Sequence, residues 1–237
     1  MAGAAPAVTP VGRTLAVAHR GDPYRVRENT LASLRSAVAA GADAVEYDVR
    51  LTRDGVPVLL HDVTLKRLWG YDMPVAALDY AEVARRTGGG VPTLRAALKV
   101  MAEEPSVRSF IDLPAPDAAT ATVAEVQASG AAASVYYCGA TAALLAVREA
   151  DDTAEIALSG KNGARHTASL LTALRPRWLN YRWGYVTPYI VRRDHEDGYL
   201  VSCWTVDWDR NIRSLRDLGV DSITSNRITG LRKILDG

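Results

Sequence analysis

The chain has 237 residues, of which 48% are hydrophobic and 23% charged, and its formal net charge is +1. These are the proportions of a globular domain long enough to bury a sizeable core. No lysine or arginine block runs along it, which argues against a nucleic-acid or membrane-surface footprint, and no apolar run approaches the ~20 residues of a membrane span. The first ten residues, Met1 to Pro10, lack a basic region, and Val11-Gly12-Arg13 interrupts the apolar residues that follow, so no secretory leader is expected. Two cysteines, Cys138 and Cys203, lie in apolar runs without CxxC spacing. Buried thiols, not a disulfide framework or a zinc site, are expected, and the expected compartment is the cytoplasm.

Short β-branched runs alternate with helical periodicity along the chain. Thr14 to Ala18 predicts a first strand. Asn29 to Ala40 predicts a helix, with Leu31, Leu34 and Val38 at helical spacing, a polar cap at Asn29 or Thr30, and Gly41 as terminator. Ala44 to Val49 predicts the second strand, and Asp54-Gly55 turns the chain into an extended Val56 to Leu60. About residues 62–91 the pattern is irregular, with Gly70, Pro74 and Gly88-Gly89-Gly90, and predicts an insertion overhanging one end. Pro92-Thr93 opens a helix carrying Leu94, Leu98 and Met101.

Strands then recur at Arg108 to Leu113, Ser134 to Cys138, Ala154 to Leu158, Trp178 to Tyr181, Leu200 to Val206 and Asp221 to Thr224, with helical segments between most of them. The last of these segments has Ile212, Leu215 and Leu218 on one face and ends at Gly219. Eight strand–helix units predict a single α/β domain, a (β/α)8 barrel with a small insertion after the second strand. An open doubly wound sheet is disfavoured because no GxGxxG follows the first strand.

In such a barrel the reactive side chains sit at the C-terminal strand ends. The residues placed there are His19-Arg20-Gly21, Glu28-Asn29, Glu46-Tyr47-Asp48, His61-Asp62 and Asp112. Glu46 and Asp48 are two apart on one strand, so both point to the same face, and two neighbouring carboxylates call for a hard divalent cation. His19 and His61 each follow an apolar strand and can carry protons. Arg20 presents a planar fork suited to a phosphate oxygen. His166 and His195 are expected at the surface. A divalent ion, two proton carriers and an anion-binding arginine suit phosphoryl transfer.

The runs Ala18-His19-Arg20-Gly21, Glu28-Asn29-Thr30, Gly41-Ala42-Asp43 with Glu46-Tyr47-Asp48-Val49, Leu51 to Val58 and His61-Asp62 resemble the glycerophosphodiester phosphodiesterase family in order and spacing. Val91-Pro92-Thr93-Leu94, Trp204-Thr205-Val206-Asp207, Gly219-Val220-Asp221 and Thr224-Ser225-Asn226-Arg227 resemble its later segments. The resemblance implies a (β/α)8 barrel that hydrolyses a glycerophosphodiester to glycerol 3-phosphate and an alcohol. It implies one divalent cation, Mg²⁺ or Ca²⁺ or else Mn²⁺, on Glu46 and Asp48, with Asp112 as the third carboxylate, and His19 and His61 as an acid/base pair. Arg20 would contact phosphate, Glu28 would lie near metal and substrate, and Trp204 beside the alcohol pocket. The family's route uses the neighbouring glycerol hydroxyl as first nucleophile and passes through a cyclic phosphate that water opens.

The chain departs from this pattern on the third barrel strand. Where the family carries Glu-x-Lys, the sequence reads Asp112-Leu113-Pro114, one methylene shorter at the carboxylate and without the cation. Ile228 replaces a proline. Two other readings remain: a phospholipase-D-like lyase that stops at the cyclic phosphate, and a non-catalytic barrel that binds a phosphorylated ligand.

Overall fold

The computed structural model describes residues 12–160 and 162–237. The segment on which the leader expectation rests, residues 1–11, lies outside them. In chain order the elements are β1 (Leu15–Ala18), α1 (Leu31–Ala39), β2 (Ala44–Leu51), β3 (Pro57–Leu59), α2 (Lys66–Trp69), α3 (Tyr80–Thr87), α4 (Leu94–Met101), β4 (Arg108–Leu113), α5 (Ala119–Ala128), β5 (Val135–Gly139), α6 (Thr141–Ala150), β6 (Ala157–Gly160), α7 (Ala168–Leu174), β7 (Trp178–Arg182), α8 (Pro188–Glu196), β8 (Leu200–Trp204), α9 (Asp209–Asp217), β9 (Ser222–Ser225) and α10 (Ile228–Asp236).

Eight of the strands run parallel in the order β5-β4-β2-β1-β9-β8-β7-β6. The circle is nearly closed. β5 and β6 meet through one parallel bridge, Tyr137 to Ile156, where the Tyr137 amide donates to the Glu155 carbonyl at 2.9 Å. β6 begins later than its apolar run predicts because the preceding backbone is bound elsewhere: the Ala154 carbonyl accepts from the Arg148 guanidinium at 2.8 Å. The ninth strand, β3, folds back antiparallel on β2 with Leu51 opposite Pro57, as the Asp54-Gly55 turn predicts.

The large core lies between sheet and helices, with Leu34, Val45, Ile111, Leu144, Val201, Ile223 and Leu231 buried in one cluster. A second cluster fills the barrel axis, where alternate strand residues meet: Val17, Ala44, Phe110, Tyr136, Trp178 and Leu200. Phe110 and Tyr136 stack at 4.2 Å between ring centroids. Below them Glu155 accepts from the Arg108 fork at 2.9 and 3.1 Å and from the Trp178 indole at 2.7 Å. Both cysteines are buried and free. Burial pushes both thiols well above their ordinary range.

The 62–91 segment is more regular than its sequence predicts. It holds α2, a 3₁₀ turn at Val75–Ala77 and α3, and closes a small core of its own from Val58, Leu60, Leu65, Val75, Leu78, Val83 and Val91. The glycine run ends α3, with Gly88 in the left-handed conformation at φ 60°. His195 differs from expectation as well. It is part-buried, with Nε2 2.7 Å from Asp221 Oδ2. His166 is also part-buried. Among the described residues no helix is long and apolar enough to cross a membrane.

Glu155 ties the barrel floor together while largely shielded from water. Glu155→Ala strands the Arg108 guanidinium there, and urea denaturation should read a loss of about 2–3 kcal/mol. A loss below about 0.5 kcal/mol would show that the floor is held by ring packing alone.

Candidate active site

Three carboxylates converge at the C-terminal end of the barrel. Glu46 and Asp48 share the inward face of β2, and Asp48 stands directly across from Asp112 of β4 in the strand register. One oxygen from each lies within 4.8 Å of the others. Glu46 and Asp48 are 4% and 2% exposed, so bulk water screens their repulsion little. Burial, then the charges of Asp48 and Asp112, raises the Glu46 carboxyl well above its ordinary value. Burial and Asp48 likewise push Asp112 up to about 7. Three acids so placed do not all ionise without a compensating cation. An all-oxygen donor set of this size suits a hard divalent ion, and the shorter Asp112 side chain still reaches the cluster.

The chain after β1 is shaped to hold this cluster. Arg20 and Asn29 both have positive φ, 57° and 54°, where non-glycine residues are uncommon. In these conformations the Arg20 amide donates to Glu46 Oε2 at 2.8 Å, and Asn29 Nδ2 donates to Asp48 Oδ2 at 2.8 Å. The Asp48 amide returns a bond to Asn29 Oδ1 at 3.2 Å. Gly21, at φ 86°, packs so closely on α1 that a Cβ would lie 2.2 Å from Ser33 Oγ. Thr30, one of the two predicted caps, closes α1 by accepting from the Ser33 amide. Asn29, the other candidate, is buried and committed to Asp48. Its sequence position disguised it as a cap.

His19 stands beside the cluster, with Nε2 3.9 Å from Glu46 Oε2. Its Nδ1 lies 2.7 Å from Asn226 Oδ1. The amide orientation of Asn226 is fixed because its Nδ2 donates to Asp207 Oδ2 at 2.8 Å and its backbone amide donates to Asp207 Oδ1 at 2.9 Å. Oδ1 therefore accepts from His19 Nδ1–H, which leaves the Nε2 lone pair facing the carboxylates. Burial lowers the His19 pKa and outweighs the Asn226 bond. Asn226 and Asp207 occur in the motifs quoted above, but only the fold reveals that they orient His19.

His61 stands further out, 45% exposed at its side chain, with Nδ1 2.7 Å from Asp62 Oδ1. Its carbonyl accepts both Nε and Nη2 of Arg50, at 2.8 and 2.6 Å. Arg67 of α2 then links the two sides of the site. It donates to Asp62 Oδ2 at 2.6 Å and to both Glu28 oxygens at 2.6 and 3.0 Å. Arg67 and His61 together outweigh burial and hold the Asp62 carboxyl at about 2. Burial pushes Glu28 up, yet Arg67 and Arg20 hold it below its ordinary range. Arg20 bonds Glu28 at 3.0 Å and places Nε 3.3 Å from Asp48 Oδ2. The structure thus seats Glu28 between two arginines, outside the carboxylate cluster. Arg50 and Arg67 carry no sequence signal that separates them from surface arginines.

A cleft of about 370 Å³ opens beside Asp112, with Pro114, Gly139, Ser159, Arg182 and Trp204 in its wall. Two other clefts, of about 390 and 420 Å³, lie at the opposite end of the barrel, away from the carboxylates and from His19 and His61. Trp69 packs inside the insertion, where a Cβ on Gly90 would lie 2.0 Å from its ring. Tyr71, Trp183 and Tyr185 are exposed outside the cleft wall.

A parallel barrel with an acidic cluster and two histidines at its mouth is the framework of a phosphodiester-cleaving enzyme. The sequence pattern of the Glycerophosphoryl diester phosphodiesterase family matches residues 19–229. The chain is 32% identical over 244 residues to Probable glycerophosphodiester phosphodiesterase 2 of Mycobacterium tuberculosis, covering 94% of this chain and 91% of that one. A shorter match, 51% identical over 55 residues and 23% of each chain, is to the Glycerophosphodiester phosphodiesterase of Caldanaerobacter subterraneus. Among solved structures, an Oleispira antarctica phosphodiesterase in complex with the product sn-glycerol-3-phosphate superposes with a TM-score of 0.84 at 22% identity, covering 95% of this chain and 98% of that one, a likeness of fold. The chain belongs to the glycerophosphoryl diester phosphodiesterase family, whose members are phosphoric diester hydrolases.

The Asp207–Asn226–His19 arrangement predicts that His19 carries its proton on Nδ1 at neutral pH. Ring ¹⁵N chemical shifts should report that tautomer in the wild type and a mixture in Asn226→Ala. The Nε2–H form in the wild type would show that Asn226 does not set the ring.

Proposed function

We propose that the protein hydrolyses glycerophosphodiesters to glycerol 3-phosphate and an alcohol, with a divalent cation held by Glu46, Asp48 and Asp112 and with His19 and His61 moving protons. The carrying observation is the convergence of the three carboxylates beside a histidine whose Nε2 has no hydrogen-bond partner among the described residues and lies 3.9 Å from Glu46 Oε2. The product-bound Oleispira neighbour is consistent with this reading. When bound, Mg²⁺, Ca²⁺ or Mn²⁺ would supply charge stabilisation for the phosphoryl oxygens.

The protein's own groups do the rest. Arg20, backed by Glu28, reaches toward the anionic phosphate. His19, kept neutral by burial, accepts the proton of the glycerol hydroxyl that attacks phosphorus. His61, braced by Asp62 and Arg50 and open to the mouth, returns a proton to the departing alcohol oxygen as its bond to phosphorus breaks. Water then opens the cyclic phosphate with the histidine roles exchanged. Trp204 flanks the space left for the alcohol. The whole chain acts as one barrel domain in which the 62–91 insertion contributes Arg67 to the site, and its buried free thiols suit the reducing cytoplasm.

His61→Ala should lower turnover of glycerophosphocholine or glycerophosphoethanolamine by ~100- to 10,000-fold. Glycerol 3-phosphate release, followed with EDTA and with each ion added back, is the assay. Turnover within a few fold of wild type removes His61 from proton transfer. Accumulation of cyclic phosphate alone would identify the lyase, and no turnover by folded protein would favour the ligand-binding barrel.

Metal affinity should depend on pH. With Asp112 held up to about 7, it keeps its proton below that value and competes with the ion. Calorimetric affinity for Mn²⁺ should therefore rise by about 10-fold between pH 6 and pH 8 and be weaker throughout in Asp112→Ala. Affinity unchanged by pH and by the substitution would exclude Asp112 as a ligand.

A further inference from the structure

The positive charges around the carboxylate cluster are almost all spoken for. Arg20 and Arg67 clamp Glu28 and reach Asp48 and Asp62, and Arg50 holds the His61 carbonyl. Arg182 is different. It ends β7 two residues beyond Asn180, whose side chain bonds Ser159 and Ser202 across the barrel interior. By strand alternation Arg182 therefore leaves the sheet on the same inward face, one layer nearer the mouth. Its register partner is Trp204 of β8, and both line the ~370 Å³ cleft beside Asp112.

Arg177, earlier in the chain, and Arg193, later in it, are paired with Glu155 and Asp194. Arg182 is exposed and has no carboxylate partner among the described residues. The opposite wall is uncharged, formed by Pro114, Gly139 and Ala140, and Asp112 closes the end toward the cluster. Among the described residues, the other wall residues, Ser159, Gly160 and Trp204, add no second cation.

We propose that this cleft receives the alcohol half of the substrate and that Arg182 selects alcohols bearing an anionic group, a phosphate or a carboxylate. This rests on the hydrolytic reading above and deepens it. An unpaired guanidinium at the mouth of a cleft attracts an anion through bidentate hydrogen bonds and repels a quaternary ammonium. Trp204 provides a flat face that packs on a carbon skeleton and by itself attracts a quaternary ammonium, so a preference for anions must come from Arg182. The cleft volume is near the lower end of ligand-sized pockets and suits a small polar head.

The test compares kcat/KM for three substrates: bis(glycerophospho)glycerol, whose departing alcohol carries a phosphodiester anion, glycerophosphoglycerol, whose alcohol is neutral, and glycerophosphocholine, whose alcohol is cationic. The wild type should prefer them in that order, with the first exceeding the second by more than the twofold that its two equivalent ends supply. The anion-to-choline ratio should fall roughly 10-fold in Arg182→Gln and invert in Arg182→Glu. The change should appear in KM for the anionic substrate, as expected for a binding contact.

Raising the salt to 0.5 M should shrink the wild-type ratio, which tests the charge without any substitution. Equal kcat/KM for all three substrates, or a ratio that survives both salt and Arg182→Glu, overturns the assignment while leaving the hydrolytic reading intact. Failure of folded wild type to hydrolyse any of them with Mg²⁺, Ca²⁺ or Mn²⁺ overturns the hydrolytic reading itself.

Discussion

Glu46, Asp48 and Asp112 sit on adjacent parallel strands with oxygens within 4.8 Å of one another, largely out of water. Mutual repulsion at that range is unfavourable for any protein that must fold around it. Much of the surrounding architecture is an answer to it. Asn29 and the Arg20 amide donate to two of the acids, and Arg20 brings a full positive charge against Asp48. The left-handed backbone at Arg20 and Asn29 is the conformational consequence, held in place by the close packing of Gly21 on α1. Burial, with the residual repulsion added to it, keeps the Glu46 and Asp112 carboxyls above their ordinary range, and a divalent ion is the group that would relieve the repulsion.

The same logic explains the 62–91 segment. Its small core positions α2 so that Arg67 spans Glu28 and Asp62. A continuous chain of alternating charge then runs from Asp62 through Arg67, Glu28 and Arg20 to Asp48, with His61 hydrogen-bonded to its outer end. Its outer ion pairs are partly exposed and modest alone, whereas the innermost, Arg20 with Asp48, is largely out of water. Linked together, they tie the inner cluster on β2 and β4 to the outer histidine, which lies in the bend after β3.

The barrel was legible because strand and helix signals alternate with little ambiguity, and the carboxylates because Glu46 and Asp48 obey strand alternation. The placement of His19 and His61 followed from strand ends. What stayed hidden depended on contacts distant in sequence. Asn226 orients His19 across 207 positions, and although it falls in a family-like segment, nothing in that segment tells that it bonds the His19 ring. Asn29 satisfied the statistics of a helix cap, and tertiary structure reassigned it. Helix α3 was obscured by the glycines that in fact terminate it. The late start of β6 reflects an arginine capturing a carbonyl, which periodicity does not register. The departure at Pro114 was visible, yet the cation lining the same cleft, Arg182, arrives from a strand on the far side of the barrel.

The joint between β5 and β6 differs in kind from the other seven. Neighbouring strands elsewhere are laced by ladders, whereas here a single rung connects Tyr137 to the chain before Ile156. The cleft opens directly above this seam, since Gly139 and Ala140 come from one side of it and Ser159 and Gly160 from the other. Widening the barrel at that point forfeits about one hydrogen bond, on the order of 1 kcal/mol, whereas spreading it between β2 and β4 would unzip a ladder and pull the acidic cluster apart. If the ion and the alcohol bind as proposed, the acids stand where the barrel is laced by a ladder, and the leaving group meets its most weakly joined seam. On that reading, substitutions confined to the seam would change the girth of alcohol admitted and leave the three carboxylates where they stand.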